Sequence, residues 1–294
     1  MPRRRHAPPP PVDEEWEAYD SADPALATSL LAPRYQVLRL LGRGAFGSTW
    51  HVREASTGRE AVARLVHDAV ARDETARAHI RRLARADLAV DHPHIVRTWE
   101  VAAATGHVPY VVCEYVDGSD LASVMREEGR MALPRALGIA RDVADALAAA
   151  HGRGIVSGNL RPSGVLVERA SGRAKVYEFD SPLFGESGLL NDATWAAPEQ
   201  LEDPGEGPRP GADLYALGGM LYAMLAGAPP IAGATGYEAV KRKVEGRFTP
   251  VATLRPDVPR VVENLLDYLL AGDPARRGTA AQALTELTFI LRSL

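Results

Sequence analysis

Three glycines, Gly42, Gly44 and Gly47, stand at the G-x-G-x-x-G spacing of loops that wrap phosphate groups. Glycine reaches positive φ and puts no Cβ between its backbone N–H groups and an anion, so such a loop can cradle phosphate oxygens. In a dinucleotide fold the motif opens a helix. Here the β-prone run Ser48-Thr49-Trp50-His51-Val52 follows, so a strand–loop–strand hairpin is predicted. The same hairpin can persist as a plain turn without any nucleotide, and spacing alone leaves both open. Other chemistries find less support. His79, His92, His94 and His107 lack the His-x-x-x-His spacing with an adjacent acid that zinc sites use. Ser157-Gly158-Asn159 is not a nucleophile elbow. The acidic segments read as solvated surface rather than as a catalytic pair.

Strands must hold the glycine loop. Tyr35 to Leu41 leads into it and Ser48 to Arg53 leaves it; Thr57-Gly58 reads as a turn and Glu60 to Val66 as a third strand. Arg72 to Val90 is predicted helical. Tyr110 to Val116 is predicted to be a buried strand. Beyond it the pattern is helical: Pro134 suits a first turn, and Leu137, Ala140, Val143, Ala144, Leu147 and Ala148 recur at helical spacing. Asp213 to Leu225 forms a second apolar helix closed by Gly227 and Pro229-Pro230.

The chain has 294 residues, 46% of them hydrophobic, enough for a full core. Its net charge of −4 has both signs interspersed, which argues against a nucleic-acid partner. Cys113 is the single cysteine, which excludes an internal disulfide and fits a reducing compartment. No apolar run approaches the ~20 residues of a membrane helix, and the N-terminal arginines precede polyproline rather than an apolar leader core. Residues 1–33 are expected to be a flexible tail. It holds Pro8 to Pro11 and then the acidic, aromatic run Asp13 to Asp20, which is either solvated or a docking segment anchored by Trp16 and Tyr19.

Four motifs carry a family resemblance: Gly42-Arg43-Gly44-Ala45-Phe46-Gly47, His151 to Val156, Ala197-Pro198-Glu199 and Asp213 to Gly218. Together they resemble the bacterial serine/threonine protein kinases from about Arg34 to the C-terminus. The resemblance implies an α+β, two-lobed protein-kinase-like fold, with a β-rich N-lobe over 34–116 and a helical C-lobe over 117–294. Many bacterial receptor kinases of this kind carry a membrane helix and an outer sensor after this domain. The chain stops where the domain ends, so a cytoplasmic protein is expected.

The positions that bear the family's chemistry differ. Ala61-Val62-Ala63-Arg64 puts Arg64 where a lysine contacts the nucleotide phosphates, and the forked guanidinium is no close substitute. Leu83 falls at the glutamate that holds this lysine. In Val156 to Leu166, Asn159 replaces the aspartate that serves as base, a role typically worth ~10²–10⁴ in rate. Arg161 replaces a lysine near the γ-phosphate, and Gly164 replaces the asparagine that binds a second magnesium. Gly158 replaces the arginine that grips a phosphorylated activation loop. Tyr177-Glu178-Phe179-Asp180 matches x-Asp-Phe-Gly with Glu178 one methylene too long, and magnesium demands strict octahedral geometry.

The adenine pocket implied by the resemblance is lined by Thr49, Val62, Cys113, Leu166 and Tyr177. Val62 stands for an alanine and Tyr177 is bulky beside Leu166, so a partly filled pocket is expected unless the backbone shifts. Cys113, at the gatekeeper position, is expected to be a small buried hydrophobe. Scaffold residues are kept: Glu199 is expected to pair with Arg277, and Asp213 to brace the catalytic loop. These residues together predict a pseudokinase that acts as a protein-binding scaffold or regulator, with no cofactor. Its protein partners would meet the C-lobe, the groove or the tail, without membrane insertion. The alternatives are an atypical kinase using ATP and Mg2+, with Glu178 as metal ligand and Arg64 or Arg43 on phosphate, or a metal-independent nucleotide-sensing switch.

Overall fold

The computed structural model describes residues 22–44, 47–67, 90–103, 109–177, 193–203, 207, 209–232 and 236–294. They form two compact units. One holds the first three strands with residues 101–111; the other holds 90–100 and everything from Val112 onward. The sequence boundary at 116/117 therefore does not coincide with the division by compactness, because 90–100 and 112–116 group with the helices. The predicted helix 72–90 lies, up to residue 89, outside the described residues.

The sheet unit opens with helix α1 (Pro24–Leu31), inside the stretch expected to be a tail. Its start is specified locally. The Asp23 carboxylate accepts the Ala25 N–H at 2.8 Å, and Pro24 occupies the first turn where its missing N–H is harmless. Ala27 and Leu31, one turn apart, are buried. Strands β1 (Tyr35–Gly44), β2 (Gly47–Glu54) and β3 (Glu60–Val66) follow. With β4 (Thr98–Ala103) and β5 (Pro109–Glu114) they make a five-stranded sheet in the order β1-β2-β3-β5-β4. Glu54 closes the β2–β3 turn, accepting from Thr57 Oγ1 at 2.8 Å and from Arg59 at 3.2 Å. The Thr57 hydroxyl, backed by the Arg59 and Arg34 guanidinium groups, holds its carboxyl below the usual glutamate range. β5 is alternately buried and half-buried rather than buried throughout, and Cys113 is half-buried.

In the helical unit a small sheet of β6 (Gly118–Asp120), β7 (Val165–Glu168) and β8 (Ala174–Val176) accompanies α2 (Leu121–Glu128) and α3 (Leu133–His151). Five further helices follow: α4 (Pro198–Glu202), α5 (Pro210–Ala226), α6 (Gly236–Val244), α7 (Val251–Leu254) and α8 (Arg260–Leu269). The last element is α9 (Ala280–Ser293). Every residue from Ala212 to Ala226 is buried, which marks α5 as the central helix of the unit. α3 presents Leu137, Ala140, Val143, Ala144 and Leu147 to the same core. Among the described residues no helix is long and apolar enough to cross a membrane.

Candidate functional site

Strand register decides what the sheet unit presents. Gly42 pairs with Thr49 and Thr49 with Arg64; in the next row but one, Arg39 pairs with His51 and His51 with Val62. Side chains alternate across a strand, so Thr49, Val62 and Arg64 share one half-buried face while Ala61, Ala63 and Leu65 are buried on the other. Gly44 pairs with Gly47 at the tip of the hairpin; Ala45 and Phe46 lie outside the described residues. The predicted hairpin is therefore present, but Gly42 and Gly47 do not adopt positive φ. Gly47 has a packing reason instead. A Cβ there would sit 1.9 Å from the Leu65 carbonyl oxygen. Gly42 has none, since a Cβ would meet nothing within 4 Å.

The helical unit holds the loop that should carry the base. Asp213, 1% exposed in the first turn of α5, organises it. Its Oδ2 accepts the Ser157 N–H at 2.9 Å and the His151 Nε2–H at 2.8 Å, and its Oδ1 accepts the Gly158 N–H at 2.8 Å. To turn both amides onto one carboxylate, the backbone takes φ +68° at Gly158, where a side chain is strained. The arginine expected at this place from the resemblance is thus replaced by the residue that suits the observed backbone best. Gln200 supports the far side: its Nε2 donates to the Gly158 carbonyl at 2.7 Å and its Oε1 accepts the Ala197 N–H at 3.0 Å.

On this loop Asn159 faces Arg161. The guanidinium donates to Asn159 Oδ1 at 3.2 Å and to Ser163 Oγ at 2.9 Å. The Asn159 carbonyl oxygen is thereby engaged, and its NH2 can only donate, so nothing at this position takes a proton from a hydroxyl. The space beside Asn159, between Trp195 and Ala216, is about 10 Å³, enough for one water and no more. Gly164 lies in the 3₁₀ turn Pro162–Gly164, and a Cβ there would make only ordinary contact, 3.8 Å from the Tyr177 carbonyl oxygen. Its lack of a side chain is therefore not a demand of packing. Tyr177 folds onto this turn: its hydroxyl donates to the Ser163 carbonyl and its N–H donates to the Gly164 carbonyl at 3.0 Å. Leu166 is half-buried in β7, opposite Asp120 and Lys175.

Leu83 and Glu178 lie outside the described residues. Those described offer no set fit for a divalent ion: Gly164 has no ligand, Asn159 supplies one neutral oxygen already engaged, and no group of three or more His, Cys, Asp or Glu among them could hold a metal. Of the histidines named from sequence, His79 and His107 lie outside the described residues, and His94 serves the scaffold. His94, 2% exposed, has Nδ1 2.7 Å from the Ala174 carbonyl oxygen and Nε2 3.5 Å from Asp142.

The expected ion pair is formed. Arg277, with a fully buried side chain, donates to both Glu199 oxygens at 2.6 and 2.9 Å and to the carbonyls of Gly211, Ala271 and Gly272. Its guanidinium also lies 5.0 Å from the centre of the Tyr215 ring. Lys243 was not singled out by sequence. It is buried on α6 and donates to the carbonyls of Ala193, Thr194 and Ala196, with its Nζ 5.2 Å from the same ring. Burial raises the Tyr215 phenol well above its ordinary value. His151 and Gln200 also went unnoticed as loop supports. Their motifs signal a helix end and a helix start, while their partners are 62 and 42 residues away.

Comparisons with known proteins agree with this architecture. The family model described as protein kinase domain matches residues 35–289. A probable serine/threonine-protein kinase of Streptomyces coelicolor is 28% identical over 267 residues, covering 86% of this chain and 39% of that protein. PknB of Mycobacterium tuberculosis is 28% identical over 272 residues, covering 88% of this chain. The chain spans 43% of the length of PknB and 58% of that of PknA from the same species, which is 27% identical over 258 residues. Among solved structures, the kinase domain of M. tuberculosis PknI superposes with a TM-score of 0.68 at 24% identity, over 87% of this chain and 96% of that one. The retained scaffold, the fold and the family match together place this chain in the protein kinase domain family.

Proposed function

We propose that the chain is a pseudokinase: a member of the protein kinase family that no longer transfers phosphate and acts as a protein-binding scaffold or regulator in bacterial cytosolic signalling. The observation that carries this reading is the state of the catalytic loop. Asp213, His151 and Gln200 hold it in a defined shape, yet the residue placed for base chemistry is an amide whose oxygen is engaged by Arg161. Arg64, Gly164 and Glu178 remove further parts of the same machinery. Positioning and electrostatics supply nearly all catalysis in phosphoryl transfer, so losing them together is far costlier than losing one. Tyr177, bonded to the Ser163 carbonyl, adds a bulky ring where the resemblance implies the base of a nucleotide pocket.

One observation favours a second reading. Gly42 needs no glycine for packing or for φ, so clearance for a phosphate remains a reason to have one there. That supports a nucleotide-sensing switch that binds without transfer. A thermal-shift titration of the full chain with ATP, with and without magnesium, separates the readings. A ligand at ~100 times its dissociation constant adds about 2.7 kcal/mol, which is roughly 5–10 °C for a protein of this size. The scaffold reading expects no shift. A metal-independent shift supports the switch, and a magnesium-dependent one supports an atypical kinase with Glu178 as metal ligand.

A further inference from the structure

Buried His94 stands where three parts of the helical unit meet: its own segment before β4, helix α3, and the turn between β7 and β8. The partners of its ring fix where the protons are. Nδ1 lies 2.7 Å from the Ala174 carbonyl oxygen, which can only accept, so Nδ1 carries a hydrogen. Nε2 receives an N–H from the Arg173 guanidinium, which can only donate, so Nε2 carries a lone pair. The imidazole is therefore neutral in this arrangement and acts as the acceptor for an arginine. Among the described residues the carboxylate closest to that arginine is Asp142, with Arg173 Nε 4.0 Å from its Oδ2. Asp142 is already occupied. Its Oδ2 accepts the Ala174 N–H at 3.0 Å, and its Oδ1 accepts two N–H groups of Arg141 at 2.6 and 3.2 Å.

The charges around the ring balance before any proton is added to it. Arg141, Asp142 and Asp145 come from α3 and Arg173 from the β7–β8 turn, so two guanidinium groups meet two carboxylates. Asp142 Oδ1 lies 3.5 Å and Asp145 Oδ2 3.9 Å from Nε2, both within reach of an N–H formed there. His92, on the same segment, accepts the His94 N–H on its Nδ1 at 3.3 Å and turns its Nε2 to Asp145 at 3.6 Å. Burial holds the His92 ring below the ordinary imidazole range, with Arg153 and Arg173 adding to the effect and Asp145 opposing it. A proton on His94 Nε2 leaves one unbalanced positive charge in a buried cluster, which is costly. It removes the acceptor of Arg173, repels that guanidinium and attracts both carboxylates. Arg173, with a side chain 53% exposed, is the cation with a path to water, whereas Arg141 is held on Asp142 by two bonds.

We propose that His94 is a proton switch: a proton at Nε2 exchanges Arg173 for Asp142 and Asp145 as the partners of the ring and releases the Arg173 guanidinium into solvent at the β7–β8 turn. The assignment does not depend on whether the chain binds nucleotide or transfers phosphate. Nitrogen NMR of the full chain, labelled in histidine and arginine, reads both ends of the exchange between about pH 8 and about pH 5, a span that brackets the ordinary imidazole range. At the upper end the His94 ring should show the Nδ1–H tautomer alone. At the lower end it should be doubly protonated, and solvent exchange of the Arg173 guanidinium N–H groups should have risen about tenfold relative to those of Arg141. Both changes should follow one titration curve. In His94→Gln the side-chain oxygen accepts from Arg173 but takes up no proton, so the Arg173-to-Arg141 ratio should not respond to pH. If that variant does not fold, the two wild-type signals decide the matter alone. A ring that becomes doubly protonated while Arg173 keeps its protection would overturn the proposal. So would a ring still singly protonated at about pH 5, or an equal pH response in folded His94→Gln protein.

Discussion

Replacing Asp213 by asparagine tests whether one buried carboxylate shapes the catalytic loop. The side chain keeps its size and loses its charge and one acceptor. If the remaining oxygen stays with Ser157 and His151, the new NH2 faces the Gly158 N–H; if it flips, it faces the Ser157 N–H. Either way one buried amide has no acceptor, at roughly 1–3 kcal/mol, and the surviving bonds each lose about 1 kcal/mol of charge assistance. The sum is about 3–4 kcal/mol against a total stability on the order of 5–15 kcal/mol. Urea unfolding of wild type and variant reads that sum. Native-state hydrogen exchange locates it: the Ser157 and Gly158 amides should exchange faster by more than the global loss explains. A loss under ~1 kcal/mol, or one spread evenly with no excess at these two amides, would refute the reasoning.

Three further outcomes follow from the same geometry. Gly158→Ala forces a Cβ onto φ +68° and should cost about 1–2 kcal/mol, whereas Gly164→Ala, with open contacts near 4 Å, should stay within about 0.5 kcal/mol; chemical denaturation of the pair compares them. Glu199→Gln leaves the buried Arg277 charge with carbonyls only and should lower stability by about 3 kcal/mol, read as a fall in melting temperature of roughly 6–12 °C. At alkaline pH the sign is fixed by burial. Tyr215 and Tyr222 keep their protons in the folded state above pH 10, where the unfolded chain gives them up, so stability should fall as pH rises past 10. Tyr215→Phe should flatten that fall in melts taken between pH 8 and pH 11, taken as roughly bracketing the ordinary phenol value.

Much of this was legible from residue pattern because it depends on local rules. β3 occupies Glu60–Val66, the stretch after the Thr57-Gly58 turn that the sequence marks as a third strand, and α5 runs through the apolar stretch that ends at Gly227. Asp213 and the Glu199–Arg277 pair could be named because motif residues mark them. The helix α1 was missed although Asp23-Pro24 is a start signal, because the proline-rich and acidic run before it drew the whole stretch to 33 into a tail. The reason for each glycine was not legible. Gly47 serves close packing and Gly158 a left-handed turn, while Gly42 and Gly164 serve neither, and only three-dimensional neighbours tell these apart. Arg161 on Asn159, Tyr177 on Ser163 and Lys243 on the carbonyls of 193–196 are side-chain choices that no spacing rule encodes.

The claim that the scaffold is kept while its chemistry is gone meets its most direct test in a phosphotransfer measurement. The full chain is incubated with γ-labelled ATP, magnesium and a generic protein acceptor, and label in protein is compared with that of the Asn159→Ala variant. The account predicts no transfer above the variant's background. Magnesium-dependent transfer by the wild-type chain that disappears in Asn159→Ala or in Glu178→Ala would contradict it.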